Sequence, residues 1–171
     1  CYLDCAGSFV FSSPETEISN LDHLEGKTVN ALVDGNVVAG LRVYQGKVVL
    51  PDPGTKVTIG LPYRALVKTL PLAFNSQQIG WNVARRQQVG KAVVRLIDSR
   101  GVKFGPDEDH LYEIKPRFDE GLDTPPALLN GLYEPDMAPT IQNEVSLTLV
   151  QDYPLPFTLT AAYLEPIVSE T

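Results

Sequence analysis

Val29, Ala31 and Val33 alternate with Thr28, Asn30 and Leu32, the period of two that marks a strand with one face turned to a core. Asp34-Gly35 follows, two residues that tolerate positive φ, and predicts a tight hairpin. A second strand is expected over Val37 to Tyr44, ending at Gln45-Gly46, with Lys47 to Leu50 after it. The Pro-Asp-Pro-Gly run at 51–54 reads as a turn leading into Lys56 to Ile59. So many short strands closed by turns predict a small barrel or sandwich module, not an enzyme core.

The rest of the chain is also mainly β in pattern. Residues 1–12 read as a strand that gives Tyr2, Phe9 and Phe11 to a core and stops at Ser12-Ser13-Pro14. Leu61 to Leu70 is expected to return and pair with that strand. This makes 18–60 a small β-barrel module inserted into a β-sandwich-like body of residues 1–17 and 61–171. Residues 74–90 fit a short helix or an extended arm, because Ile79, Trp81 and Val83 do not share one face of a long helix. Lys91 to Ile97 is a strand, with Val102-Lys103-Phe104 expected to pair back across Ser99-Arg100-Gly101. From Pro106 to Pro139 the chain is rich in Pro, Gly and Asp and predicts long loops with short edge strands. Val145-Leu147-Leu149 and Phe157-Leu159-Ala161-Tyr163 are expected to form a closing hairpin around Tyr153-Pro154-Leu155-Pro156.

Three stretches resemble bacteriophage tail proteins of the tail nozzle (tail tubular) family and related tail components. The run LDHLEGKTV at 21–29, the Val33-Asp34-Gly35 turn and the exit Ile59-Gly60-Leu61-Pro62-Tyr63 resemble a small β-module of those proteins, likened to the FCCH domain of ubiquitin-activating enzymes. Val93-Val94-Arg95-Leu96 with Ser99-Arg100-Gly101 resembles their next strand and turn. Gln151-Asp152-Tyr153-Pro154-Leu155-Pro156 resembles their Q-x-x-P-L-P closure. The resemblance implies a structural part of a virion tail, assembled in the host cytoplasm, with no catalytic residues. It further implies a ring-shaped homo-oligomer that contacts other tail proteins, with DNA passing nearby and no sequence-specific binding. The alternative is a tail adhesin or fibre-associated protein recognising a host receptor or glycan through the 106–140 loops, Tyr112, Tyr133 and Trp81.

Charge sharpens the assembly reading. The net charge of −7 hides a basic middle and an acidic end. Residues 61–105 hold eight bases and one acid, and residues 106–171 hold two bases and thirteen acids. Such segregation suits complementary faces of adjoining subunits. Arg85 and Arg86 beside Trp81 are candidate subunit contacts on a basic arm, ahead of a nucleic-acid reading by charge and stacking. Asp107, Glu108 and Asp109, with His110, are candidate contacts on an acidic loop, ahead of a hard-cation site or a glycosidase carboxylate.

Little else carries chemistry. No Gly-x-Ser-x-Gly elbow, phosphate-cradling loop or paired-histidine motif is present, so no enzyme, cofactor or metal is expected. Cys1 and Cys5 would lie roughly 13 Å apart on one strand at about 3.3 Å per residue, too far to bridge, and read as small buried thiols. His23, between Leu21 and Leu24 and close to Glu25, reads as a half-buried histidine at the mouth of the module. No run approaches a membrane span. The start at Cys1, without Met, is read as a C-terminal piece of a longer polypeptide.

Overall fold

The computed structural model describes residues 3–77, 80–83, 85–114, 125–134 and 141–168. Among them the chain is mainly β, with a single turn of 3-10 helix at Asp22–Leu24. It divides into two compact units. The first comprises Cys1–Arg64, Arg117–Ala127 and Asp152–Pro156, and the second Ala65–Pro116, Leu128–Gln151 and Phe157–Thr171.

In the first unit, β1 (Leu3–Ile18), β2 (Thr28–Val33), β3 (Asn36–Arg42) and β4 (Val48–Pro62) form one antiparallel sheet in the order β1-β4-β2-β3. Both expected tight turns form. Asp34 and Gly35 have φ of 47° and 88°, and Gln45 and Gly46 have φ of 53° and 67°. These paired positive values match the right-handed twist of the flanking strands. Leu21 and Leu24 of the 3-10 segment, with Val29, Ala31, Val48 and Ile59 of the sheet, belong to one buried core. A single sheet therefore wraps its own core, with no β1–β3 ladder among the described strands.

Several expectations are corrected here. Residues 3–17 belong to the module and not to the body, because β1 pairs with β4 from Leu3↔Pro62 to Ile18↔Val48. Phe9 and Phe11, with ring centroids 6.3 Å apart, pack against the module's core. The Pro-Asp-Pro-Gly run is not a turn but part of β4. Pro51 and Pro53 fall between Glu17↔Val49 and Glu15↔Gly54, where the ladder is irregular and a missing N–H costs no pairing. Cys5 is exposed, at a β-bulge with φ of 50°. His23 is exposed as well and meets the Cys5 carbonyl through Nε2 at 3.0 Å. Glu25 instead clamps the second turn, accepting the Gln45 and Gly46 N–H groups at 3.0 and 2.7 Å. Cys1 and Tyr2 lie outside the described residues.

The second unit holds β5 (Ala65–Lys68), β6 (Asn75–Ser76), β7 (Gly80–Trp81), β8 (Gln87–Ser99), β9 (Lys103–Gly105), β10 (Tyr112–Glu113), β11 (Leu129–Tyr133), β12 (Thr148–Gln151) and β13 (Leu159–Val168). They form a β10-β9-β12-β5 sheet, a β11-β8-β13 sheet and a β6-β7 ribbon. Val94 and Leu96 of β8, Leu129 of β11, Phe104 of β9 and Leu149 of β12 share one core, so the two sheets sandwich it.

Two expected pairings do not form. β9 pairs with β10 and β12 and not with β8, so Ser99-Arg100-Gly101 carries the chain from one sheet to the other. β12 pairs with β5 and β9 while β13 pairs with β8, so 152–158 is likewise a crossing and not a hairpin turn. Ser99 secures both crossings, its Oγ donating to the Ile97 carbonyl at 2.8 Å and accepting the Thr158 N–H at 2.8 Å. Ala65–Lys68 pairs with β12, so only Leu61 and Pro62 of the expected return strand meet β1.

Candidate interaction face

The candidate residues between 81 and 110 all lie in the second unit, where a buried pair of amides mounts the first of them. Among the described residues of 74–90 there is no helix. Asn75 and Ser76 pair with Trp81 and Gly80 in the short β6-β7 ribbon. Asn82, immediately after, is fully buried and saturates its side chain. Its Oδ1 accepts the Phe74 N–H at 2.7 Å, and its Nδ2 donates to the Leu72 carbonyl at 2.8 Å and to Gln87 Oε1 at 2.9 Å. Gln87 is buried too and passes the connection on, Nε2 donating to the Asn143 carbonyl at 3.0 Å. Buried polar groups persist only when satisfied in this way, and a satisfied network imposes one geometry.

Three of the arm's described side chains, Trp81, Val83 and Arg86, face outward. Trp81 is 62 % exposed and Val83 is exposed beside it. Arg85 is half-buried, its N–H donating to the Asn82 carbonyl at 3.1 Å, and Arg86 is exposed. Arg86 borders a shallow depression of about 260 Å³ with Gln87, Gln88, Ile141 and Ile167. Gln78, Ile79 and Ala84 lie outside the described residues.

The acidic loop is attached to the same end of β8. Gln87 and Gln142 exchange both backbone hydrogen bonds at 2.8 Å, and Gln142 Nε2 donates to Asp107 Oδ2 at 3.3 Å. Asp107 Oδ1 accepts the N–H groups of Asp109 and His110 at 3.0 and 2.9 Å and meets His110 Nδ1 at 2.7 Å. Desolvation opposes ionisation of Asp107, but the His110 side chain and the two N–H groups outweigh it and hold the carboxyl below its ordinary range. Asp107 is thus the keystone of the loop, and the exposed Glu108 and Asp109 are what the loop displays. Among the described residues no group of three or more His, Cys, Asp and Glu side chains is placed to hold a metal.

The other displaced carboxyl and amine also serve structure. Backbone N–H groups of Thr55 and Lys56, and then the Thr55 hydroxyl, hold Asp34 below its ordinary value. Glu134, 2.7 Å from Lys91, raises that ammonium above its ordinary value.

Of the aromatic residues a glycan reading would use, Tyr112 and Tyr133 are partly buried against the second unit's core, which leaves Trp81 as the exposed one of the three. Sequence reasoning did not single out Asn82, Gln87 or Gln142. Their only signal is three amide side chains flanking the arm, which composition alone does not separate from solvated polar residues. It also missed the outer face of the β11-β8-β13 sheet, where Leu132, Arg95, Ile97 and Tyr163 are exposed. No protein-family model and no curated protein sequence gives a significant match to this chain.

Proposed function

We propose that this chain is a non-catalytic structural component of a phage tail, belonging to the tube or nozzle through which DNA leaves the particle. On this reading it acts as one copy in a ring, bound to other tail proteins, with DNA passing nearby without sequence-specific recognition. The sequence resemblance of the 18–63, 93–101 and 150–159 stretches supports the tail assignment. The observation that carries the assembly role is the way contact residues are mounted. Trp81, Val83 and Arg86 face outward from an arm whose base is fixed by the buried Asn82–Gln87 network. A rigid scaffold under exposed aromatic, apolar and cationic groups lowers the ordering cost of binding a partner. Asp34, Lys91 and Asp107, three groups with displaced ionisation, are each engaged in structural hydrogen bonds that account for the displacement.

Immunogold labelling of virions from the source phage, with an antibody raised against this chain, tests the reading. The expected result is label confined to the tail. Virions without label overturn it. Label at fibre tips combined with binding of the chain to host surface glycans would instead favour the adhesin alternative.

A further inference from the structure

The outer face of the β11-β8-β13 sheet carries a contact patch that nothing else in the second unit explains. Leu132, Arg95 and Ala161 lie side by side across the three strands, and Val93 opposes Tyr163 in a neighbouring row. Leu132 is 61 % and Tyr163 59 % exposed, and Ile97 extends the patch along β8. Exposed apolar side chains scattered singly are ordinary, whereas a cluster on adjacent strands of one face is the mark of a binding surface. A depression of about 180 Å³ lies among Arg95, Ile97, Thr160, Ala161 and Tyr163. Lys91 is matched by Glu134, but Arg95 makes no ion pair among the described residues.

Charge indicates the occupant. The loop organised by Asp107 and the β10 strand after it expose Asp109 and Glu113, and neither side chain has an ion-pair partner among the described residues. Among the described strands β10 is an edge strand, paired on one side only. The Asp107 loop is tied through Gln142 to the Gln87 end of β8, whereas Glu113 pairs with Lys103, towards the end where β8 passes into β9. Arg95, Leu132 and Tyr163 face away from the core that the two sheets share, and β10 belongs to the other sheet across that core. Within one copy Arg95 makes no ion pair with Asp109 or Glu113 among the described residues.

We propose that a second copy of this chain docks its acidic β10 edge onto the outer face of the β11-β8-β13 sheet, head to tail. Tyr163 and Leu132 supply the apolar centre, and Arg95 faces Asp109 and Glu113 of the incoming copy. Because two different patches meet, the contact is heterologous, and successive copies close into a ring or continue as a filament. This inference rests on the assembly role above and names the surfaces that perform it.

Sedimentation of the purified chain tests it, with circular dichroism and thermal melts to verify folding. The wild type should associate with rising concentration. Tyr163→Glu should raise the dissociation constant about tenfold or more without lowering the melting temperature, because the side chain is exposed. Arg95→Glu alone and Asp109→Lys with Glu113→Lys should each weaken association, and an equimolar mixture of these two variants should restore it. Restoration follows because each variant keeps one native patch and the two altered patches are complementary in charge. A wild-type chain that stays monomeric, or association untouched by all of these changes, overturns this docking mode. Tail labelling of virions is a separate readout, so failure here with label present rejects the surfaces and leaves the tail assignment standing.

Discussion

Asn82 Nδ2 donates to Gln87 Oε1 at 2.9 Å, five positions along the chain, and both side chains are sealed from solvent. This one bond closes the base of the arm that displays Trp81, Val83 and Arg86. Asn82→Ala would strand three groups at once: the buried Gln87 Oε1 and the part-buried Phe74 N–H and Leu72 carbonyl. The expected loss is about 2–4 kcal/mol of stability, from the cost of unsatisfied buried polar groups. Urea denaturation measures it, and Trp81, the single tryptophan, reports the arm's local environment by fluorescence.

Acid should weaken the first unit through Asp34. Its carboxyl is held below the ordinary value of 3.8 by the Thr55 and Lys56 N–H groups and the Thr55 hydroxyl. A depressed folded-state pKa means that this stabilisation is complete above the ordinary value and is lost as pH falls through the lower, folded one. Asp34→Asn keeps a residue that tolerates the turn's positive φ but replaces a carboxylate acceptor with an amide. The variant should be less stable than wild type at neutral pH, with the difference shrinking as the pH falls below 3.8 and through the lowered folded-state value. Chemical denaturation across pH, with the Thr55 and Lys56 amide shifts followed by NMR, would show an unchanged gap if Asp34 plays no part.

Arg85→Glu with Arg86→Glu should weaken association with a tail partner and leave duplex DNA binding as it was, undetectable or weak at about 0.15 M salt, where charges are screened beyond roughly 8 Å. Exposed ion pairs are worth about 0–1 kcal/mol each, so a single reversal should have little effect and the double reversal a measurable one. Sedimentation and filter binding separate the outcomes. Tight DNA binding abolished by the double change, with association intact, would point to a nucleic-acid role.

The pairing of β1 with β4 decides where the chain can be cut. Replacing 18–60 with a Gly-Ser linker removes nearly all of β4 and exposes Phe9 and Phe11, so that variant should aggregate. Removing 1–64 takes the long strand and its partner together and should yield the more soluble chain, with β structure retained by circular dichroism. If the 18–60 replacement proves the more soluble and cooperative of the two, the first strand does not depend on β4.

Local features were legible in the amino-acid sequence. Asp34-Gly35 and Gln45-Gly46 place positive-φ residues where two-residue hairpins need them, and both turns form. Alternation marked Val29, Ala31 and Val33, and likewise Leu147 and Leu149, as core-facing. Alternation reports which face of a strand is buried and is silent about which strand lies beside it. A hairpin and a crossing between sheets demand the same period of two. For that reason the 99–101 and 153–156 segments read as hairpin turns, although each carries the chain to the opposite sheet. Only long-range pairing could assign β1 to β4, β9 to β12 and β13 to β8. The same holds for the candidate contact surfaces. The charges of Arg95, Asp109 and Glu113 are written in the chain, but their distribution over the outer face of one sheet and the edge of the other exists only once β8 pairs with β11 and β13 and β10 pairs with β9. The buried state of Asn82 and Gln87 also belongs to the tertiary structure, because an amide is polar in any sequence and becomes structural only where packing excludes water.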